Sequence, residues 1–564
     1  MPKKIKILSL TVLVALTAIF GVSNFAVAST SMHIGKEYDY TGRAQIDVNL
    51  IRSSNRADFY VDSEFYNKLN PNDKSVLNDR LNNLGVEFDN HIYSVLVQTY
   101  GYNGRLSQSG QKLNVVIHPL KMKTEGYTRS IDFFDNAHFI DSNNHLTVYL
   151  DYNAFVKSST TSLELAAFLA HEFTHIISLE TKDFKYGVSE DTWLAEARSE
   201  YSETLLGYPS IDWEHSLLKQ RLADFSANNT LDFISWQNSS QNYASVNLFA
   251  QYLVEHYGVK VLADTLQNNT LGINSLNIAL ARNGYSEKFA DIYRNWAIAN
   301  IINDCSADHN QYCYTDDHLG EFVVMPIGYY LPTSGEAYMT ANNNLSPWII
   351  HYQKIVGGHD NVQLDFEKPN TLELNKLTYI IVKSDQSREV KTLDLMGKKQ
   401  AILNISDFGG TNAYVILVLY KESGSSNYDF VWKASTDMAA DQKQAALIAS
   451  LLKQIETLKQ QLAYLLALKT GGNVPTLPTI PVVSTTCPKF TVDLRYGMTN
   501  NDAVRCLQKF LASQTSIYPL GLITGNYLTY TELAVSDFQD ETGITPTGYF
   551  GPLTRAKVNS MLGY

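Results

Sequence analysis

The sequence predicts a multidomain chain: an α+β domain, then a β-sandwich, a short coiled-coil helix and a small three-helix C-terminal domain. Three observations predict it. Up to about residue 303, strand-like runs such as QKLNVVIHPL and HLTVYLDY are set among long helical patterns. From 320 to 435 the texture changes to alternating β patterns, as in NVQLDFEK and AYVILVLYKE, separated by Gly, Asn and Ser turns. From 440 to 468, apolar residues recur at steps of three and four. With 564 residues, 45% of them hydrophobic, the chain can bury several independent cores.

In chain order, residues 1–28 place Lys3, Lys4 and Lys6 before an apolar run that ends in Ala26, Val27 and Ala28. That is the layout of a secretory signal peptide, with an uncleaved membrane anchor as the alternative; either way the remainder is expected to be exported. The α+β domain is expected over 31–318. Its first part, to about 110, alternates helical patterns with turns, and NPNDKSVLNDRLNNLGVEFDNHIYSVLVQTYG forms a helix behind an Asn-Pro-Asn start. Strands follow, then a helix at about 161–180, then mostly helix to 303. The β-sandwich is expected over 319–435. Over 440–468, Ile448, Leu451, Ile455, Leu458, Leu462 and Leu465 form a heptad seam, read as a spacer helix, a weak self-association coil or a helix packed on its neighbours. Residues 469–486, with three prolines and one charge-free run, read as an extended linker to a separate module at 487–564.

A formal net charge of −12 and the absence of a long basic run leave no surface for neutralising phosphates, which excludes nucleic acid as a partner. Four cysteines in an exported chain predict two local disulfides, Cys305 with Cys313 and Cys487 with Cys506. The first pair has a rival: Cys305, His309, Cys313 and His318 together offer a small zinc site.

The chemistry is concentrated in HEFTH at 171–175. On a helix, residues four apart share a face, so His171 and His175 can present two imidazoles to one ion, while Glu172 projects one position round as a general base. The alternative is a buried helix that happens to contain these residues. WLAEARSEY at 193–201 supplies what the motif lacks. Glu196 offers a third ligand on a returning helix, and Glu200, one turn further, can accept a hydrogen bond from a ligand imidazole. Arg198 is expected to point away, about 200° round the helix from Glu196. Tyr243 and Tyr186 are candidate donors to a developing oxyanion. HLTVYLDY is either a sheet edge for an extended substrate or a buried inner strand.

HEFTH followed after 20 residues by WLAEARSEY resembles the gluzincin metallopeptidases, and is most similar to the hyicolysin-type secreted peptidases over roughly 50–435. The resemblance implies a zincin fold for the α+β domain, Zn2+ as cofactor, His171, His175 and Glu196 as ligands and Glu172 as base. Ala197 departs from the glycine often found after the third ligand.

In the C-terminal module, TGNYLTYTELAV from Thr524 and TGYFGPLTRAKV from Thr547 form an internal repeat. Together with DLRYGMTNNDAVRCLQKFL they look like the small three-helix peptidoglycan-binding domain, which implies a cell-wall partner. The first repeat has Leu528 where the second has Gly551. The combined expectation is a secreted or wall-associated zinc metalloendopeptidase acting on a protein or peptide. The alternatives are a peptidoglycan cross-link hydrolase and an inactive wall-binding scaffold.

Overall fold

The structure is a computed structural model that describes residues 29–437 and 487–564, apart from 122–124, 136, 229, 231–232, 307–309, 334–336, 369–375, 423–427, 500, 514–516 and 519–522. The expected signal peptide, heptad helix and linker lie outside the described residues. No helix among the described residues is long and apolar enough to cross a membrane.

The first unit is built on a six-stranded sheet of β1 (Ser29–His33), β2 (Gln45–Ser53), β3 (Ala57–Asp62), β4 (Leu113–His118), β5 (Gly126–Thr128) and β6 (Thr147–Asp151), in the order β1-β2-β3-β4-β6-β5. The expectation of helices and turns before residue 110 is therefore corrected: three strands lie there. Their alternation is short and interrupted, since Ile46 and Val48 face inward while Leu50 is exposed. β3, β4 and β6 run parallel, and every residue of β4 is buried, as a parallel strand covered on both faces requires. HLTVYLDY forms the inner strand β6; the sheet edge is β5, paired antiparallel to it.

The helix predicted behind Asn-Pro-Asn runs from Pro71 to Glu87, with the Asn70 side chain accepting from the Asp73 amide at 2.9 Å. The HEFTH helix spans Ser162–Leu179. Its Thr161 cap and Glu164 form a reciprocal capping box, which fixes where the helix starts and so which face His171 and His175 occupy. One side, with Leu165, Leu169, Phe173, Ile176 and Ile177, packs into the core of the sheet unit, where Phe173 meets Phe88 and Tyr93 at ring separations of 5.1 and 5.8 Å. The returning helix, Thr192–Leu205, places Trp193, Leu194 and Ala197 in a different core, shared with the helices Ser240–Tyr257 and Phe289–Ile302.

Nine further strands follow: β7 (Ile327–Leu331), β8 (Ala337–Leu345), β9 (His351–Gly357), β10 (Asp360–Glu367), β11 (Lys376–Lys383), β12 (Arg388–Asp394), β13 (Gln400–Phe408), β14 (Asn412–Leu419) and β15 (Tyr428–Asp437). They make one barrel-like sheet, not the two separate sheets of a sandwich. The runs β12-β11-β14-β9-β7 and β13-β10-β15-β8 are joined by a single pair, Phe408 with Asn412, and enclose a common core around Phe366, Leu417 and Trp432.

The helical core extends across the expected boundary at 318/319. Ile380, Val382, Ile416 and Val418, on the other face of β11 and β14, join the helical core, so these strands are buried on both sides. Trp348 anchors the joint: its ring lies 4.7 and 5.2 Å from those of Phe289 and Tyr293, and its carbonyl accepts from the Tyr293 hydroxyl at 2.6 Å. The Cys305–Cys313 disulfide forms, with Cα atoms 5.2 Å apart, which excludes the zinc alternative there; His309 lies outside the described residues.

The C-terminal module has helices Asp502–Ala512, Thr529–Glu541 and Pro552–Met561. Each turn of the repeat is held by one buried glutamine. Gln508 donates to the Thr531 hydroxyl at 2.9 Å and accepts from the Gly525 amide at 2.8 Å; Gln539 donates to Thr554 at 2.7 Å and accepts from Gly548 at 2.9 Å. The second expected disulfide is not formed. Cys487 and Cys506 are free thiols; burial, with the neighbouring Cys487 thiol, raises the pKa of Cys506, so the two lie close as expected but are not covalently joined.

Because Trp348 ties the barrel to the helices, Trp348→Ala is expected to lower stability by about 3–5 kcal/mol in a denaturant melt, with helical and aromatic signals shifting together. An unchanged midpoint in the helical signal would show that the two parts are energetically separate.

Candidate metal centre

His171 and His175 emerge from the HEFTH helix at the seam between the two cores, and the returning helix brings Glu196 to them. His171 Nε2 and His175 Nε2 lie 3.2 Å apart, and Glu196 Oε2 is 3.3 Å from each. A tetrahedral ion with ligands at about 2.0–2.1 Å holds its ligand atoms about 3.3 Å apart. The three atoms thus outline one face of such a tetrahedron. Glu196 Oε2 is buried yet makes no well-directed hydrogen bond, although two imidazole nitrogens are near. Three lone pairs aimed at a common point produce this pattern. Among the described residues, this is the one group of three or more His, Cys, Asp or Glu side chains whose ligand atoms converge in this way. The donor set and its spacing fit zinc.

Glu172 is 6% exposed, and its Oε2 also lacks a hydrogen-bond partner among the described residues. Burial pushes its carboxyl up to about 8; His175 pulls the other way, and the carboxylates of Glu196 and Glu125 add to the rise. A dication in the neighbouring triangle would oppose that rise. Glu172 is kept in place from the sheet side by Gly126 of β5, where a Cβ would stand 2.8 Å from Glu172 Cγ and 2.9 Å from Oε1. Only glycine lets the edge strand approach so closely.

Glu200 Oε1 lies 3.5 Å from His171 Nδ1, the ring nitrogen that is not part of the triangle. Arg221 grips it in a two-pronged pair at 2.8 and 2.9 Å, and Asn247 donates to it at 3.1 Å. Burial alone would raise the Glu200 carboxyl, but the paired guanidinium outweighs it and holds it below the ordinary range. Arg198 points away, donating to Glu190 at 3.1 Å and Thr265 at 2.8 Å.

The cleft in front of these groups has a volume of about 1100 Å3. Tyr243 lines it, its ring 6.4 Å from that of His171, with its hydroxyl donating to Asn238 at 2.8 Å; Tyr186 does not line it. The opposite wall holds Tyr38, which the sequence did not single out. Tyr38 stacks at 4.3 Å on Tyr127 of β5, which stacks in turn at 4.5 Å on Tyr149. The Tyr127 hydroxyl is fixed by the Gly35 amide and by His118 Nε2, both at 3.0 Å, and His118 Nδ1 faces Asp39 at 3.2 Å. The free edge of β5 is therefore rigid beside the site. Arg221, Glu125 and Tyr38 were illegible because they reach the cleft from distant parts of the chain and carry no local motif.

Residues 500–558 match the family described as "Putative peptidoglycan binding domain". The match supports the cell wall as the partner of this module. No curated protein matches the chain. Among solved structures, the chain is similar to PliG of Aeromonas hydrophila, a periplasmic inhibitor of g-type lysozyme, at 10% identity over 20% of this chain and 98% of that one, with a TM-score of 0.13. It is also similar to the family GH115 4-O-methyl-α-glucuronidase BtGH115A, at 11% identity over 59% of this chain and 53% of that one, with a TM-score of 0.12. At such scores neither likeness bears on fold or chemistry.

If Glu200 orients His171 from outside the triangle, Glu200→Ala is expected to weaken zinc binding about 10–100-fold in a competition titration, with one site still filled at saturation. Affinity equal to that of the unaltered protein would remove Glu200 from the centre.

Proposed function

We propose that the chain is a secreted zinc metalloendopeptidase kept at the cell wall by its C-terminal module. The observation that carries this reading is the triangle of His171, His175 and Glu196, with edges of 3.2–3.3 Å, beside a buried Glu172 oxygen that has no partner. A zinc ion held there would supply Lewis acidity toward a peptide carbonyl and a water whose pKa lies near 7.

The chain's own residues supply the rest. Glu172 takes the proton of the attacking water at its unpartnered oxygen and returns it to the leaving amine, so that its charge is restored after each turnover. The free edge of β5 offers backbone groups to an extended peptide, which aligns the scissile bond with Glu172. Tyr243 can donate to the developing oxyanion by giving up one exposed hydrogen bond to Asn238. The resemblance of HEFTH and WLAEARSEY to the gluzincin motifs supports this reading through the same residues.

A second reading, hydrolysis of peptidoglycan cross-links, is favoured by one observation: the peptidoglycan-binding match at 500–558. Substrate tests separate the two. Glu172→Gln is expected to keep its zinc and to lose at least about 100-fold in cleavage of a denatured protein; equal activity of the two proteins would discard the mechanism. Activity on purified peptidoglycan with none on denatured protein would establish the second reading instead. Removing residues 487–564 is expected to abolish retention on insoluble peptidoglycan without loss of cleavage in solution, and undiminished retention would refute the tethering role.

A further inference from the structure

Among the described cleft-lining side chains, Arg221 is the only lysine or arginine, and its Nε and Nη2 are both committed to Glu200. Two further carboxylates stand near the same guanidinium. Asp224 lines the cleft, and its Oδ2 is buried without a hydrogen-bond partner among the described residues. Glu125 is half-buried in the opposite wall, and its carboxylate makes no hydrogen bond or ion pair among the described residues.

Glu125 is placed with some care. Its carbonyl accepts from the Asp151 amide at 3.0 Å, which ties it to the end of β6, and the next residue, Gly126, touches Glu172. Its charge acts on Glu172 on one side and on Arg221 on the other. It therefore stands beside the reacting centre, at the start of the strand whose free edge faces the cleft. Nothing in its fold-level role uses the charge: the main chain does the anchoring. A carboxylate partly withdrawn from water and without a directly paired cation among the described residues is costly, and part of that cost is recovered when a ligand brings one.

We propose that Glu125 is a specificity residue of the cleft, pairing with an ammonium or guanidinium group of the substrate next to the bond that is cut. Asp224 adds negative potential near Arg221. The inference rests on the peptidase reading and names the chemical class of its substrate. Two sources supply the cation: a lysine or arginine side chain, or the free terminal amine of a peptide.

The test uses the full-length, zinc-loaded protein, with kcat/KM measured on two peptide series. One replaces a lysine flanking the cut bond by norleucine, and the other acetylates the amino terminus. The unaltered protein is expected to favour the cationic member of one series by about tenfold or more. Glu125→Gln, which keeps the side-chain shape, is expected to bring that ratio close to one, and Glu125→Lys to reverse it in favour of glutamate at the same position. Collapse in the lysine series identifies a side chain as the source, and collapse in the acetylation series identifies a terminal amine. A ratio unchanged by both substitutions overturns the proposal while leaving the peptidase reading intact. If the unaltered protein cuts none of the peptides, the peptidase reading fails and the inference falls with it.

Discussion

The architecture around the site depends on one constraint: three lone pairs from two helices must converge within about 3.3 Å of one another. The HEFTH helix and the returning helix belong to different hydrophobic cores, and the convergence exists only because both are fixed at their common seam. The capping box at Thr161 sets the phase of the first helix. Trp193, Leu194 and Ala197 set the phase of the second by filling the neighbouring core, which turns Glu196 toward the histidines and Arg198 away from them. A metal in the triangle would relieve the electrostatic cost of crowding these groups, which is how metal binding and folding become one free energy.

The same seam explains the parts that look remote. The barrel shares its outer face with the helical core, so β11 and β14 brace the helices that carry Glu200's partners. The stacked Tyr38, Tyr127 and Tyr149, with the His118–Asp39 pair behind them, brace the edge strand from the other side. The cleft thus lies between two braced walls, and preorganisation of this kind would lower the reorganisation needed in the proposed reaction.

Much of this was legible from sequence because the motif is local. Helix periodicity alone aligns His171 with His175, and the 20-residue interval to Glu196 is short enough for a turn to close. Glu200 followed from its one-turn offset. Arg221, Asn247, Glu125 and Tyr38 were not legible, since their roles exist only once distant segments meet. The early strands were missed because β2 alternates over few residues and leaves Leu50 exposed. The core shared by the barrel and the helices was not anticipated for a related reason: KLTYIIVK reads as a sandwich strand, and its continuous apolar run, which signals burial on both faces, was not weighed. The thiols of Cys487 and Cys506 show that spacing predicts proximity better than it predicts a bond.

The central claim is that His171, His175 and Glu196 form a zinc centre with a position left open for water. X-ray absorption at the zinc edge of the metal-loaded protein tests it most directly. The expected spectrum has two imidazole nitrogens and two oxygens at about 2.0–2.1 Å, one oxygen from Glu196 and one from water, and no sulfur. A shell of sulfur at about 2.3 Å, or a zinc environment unaltered by His175→Ala, would contradict it.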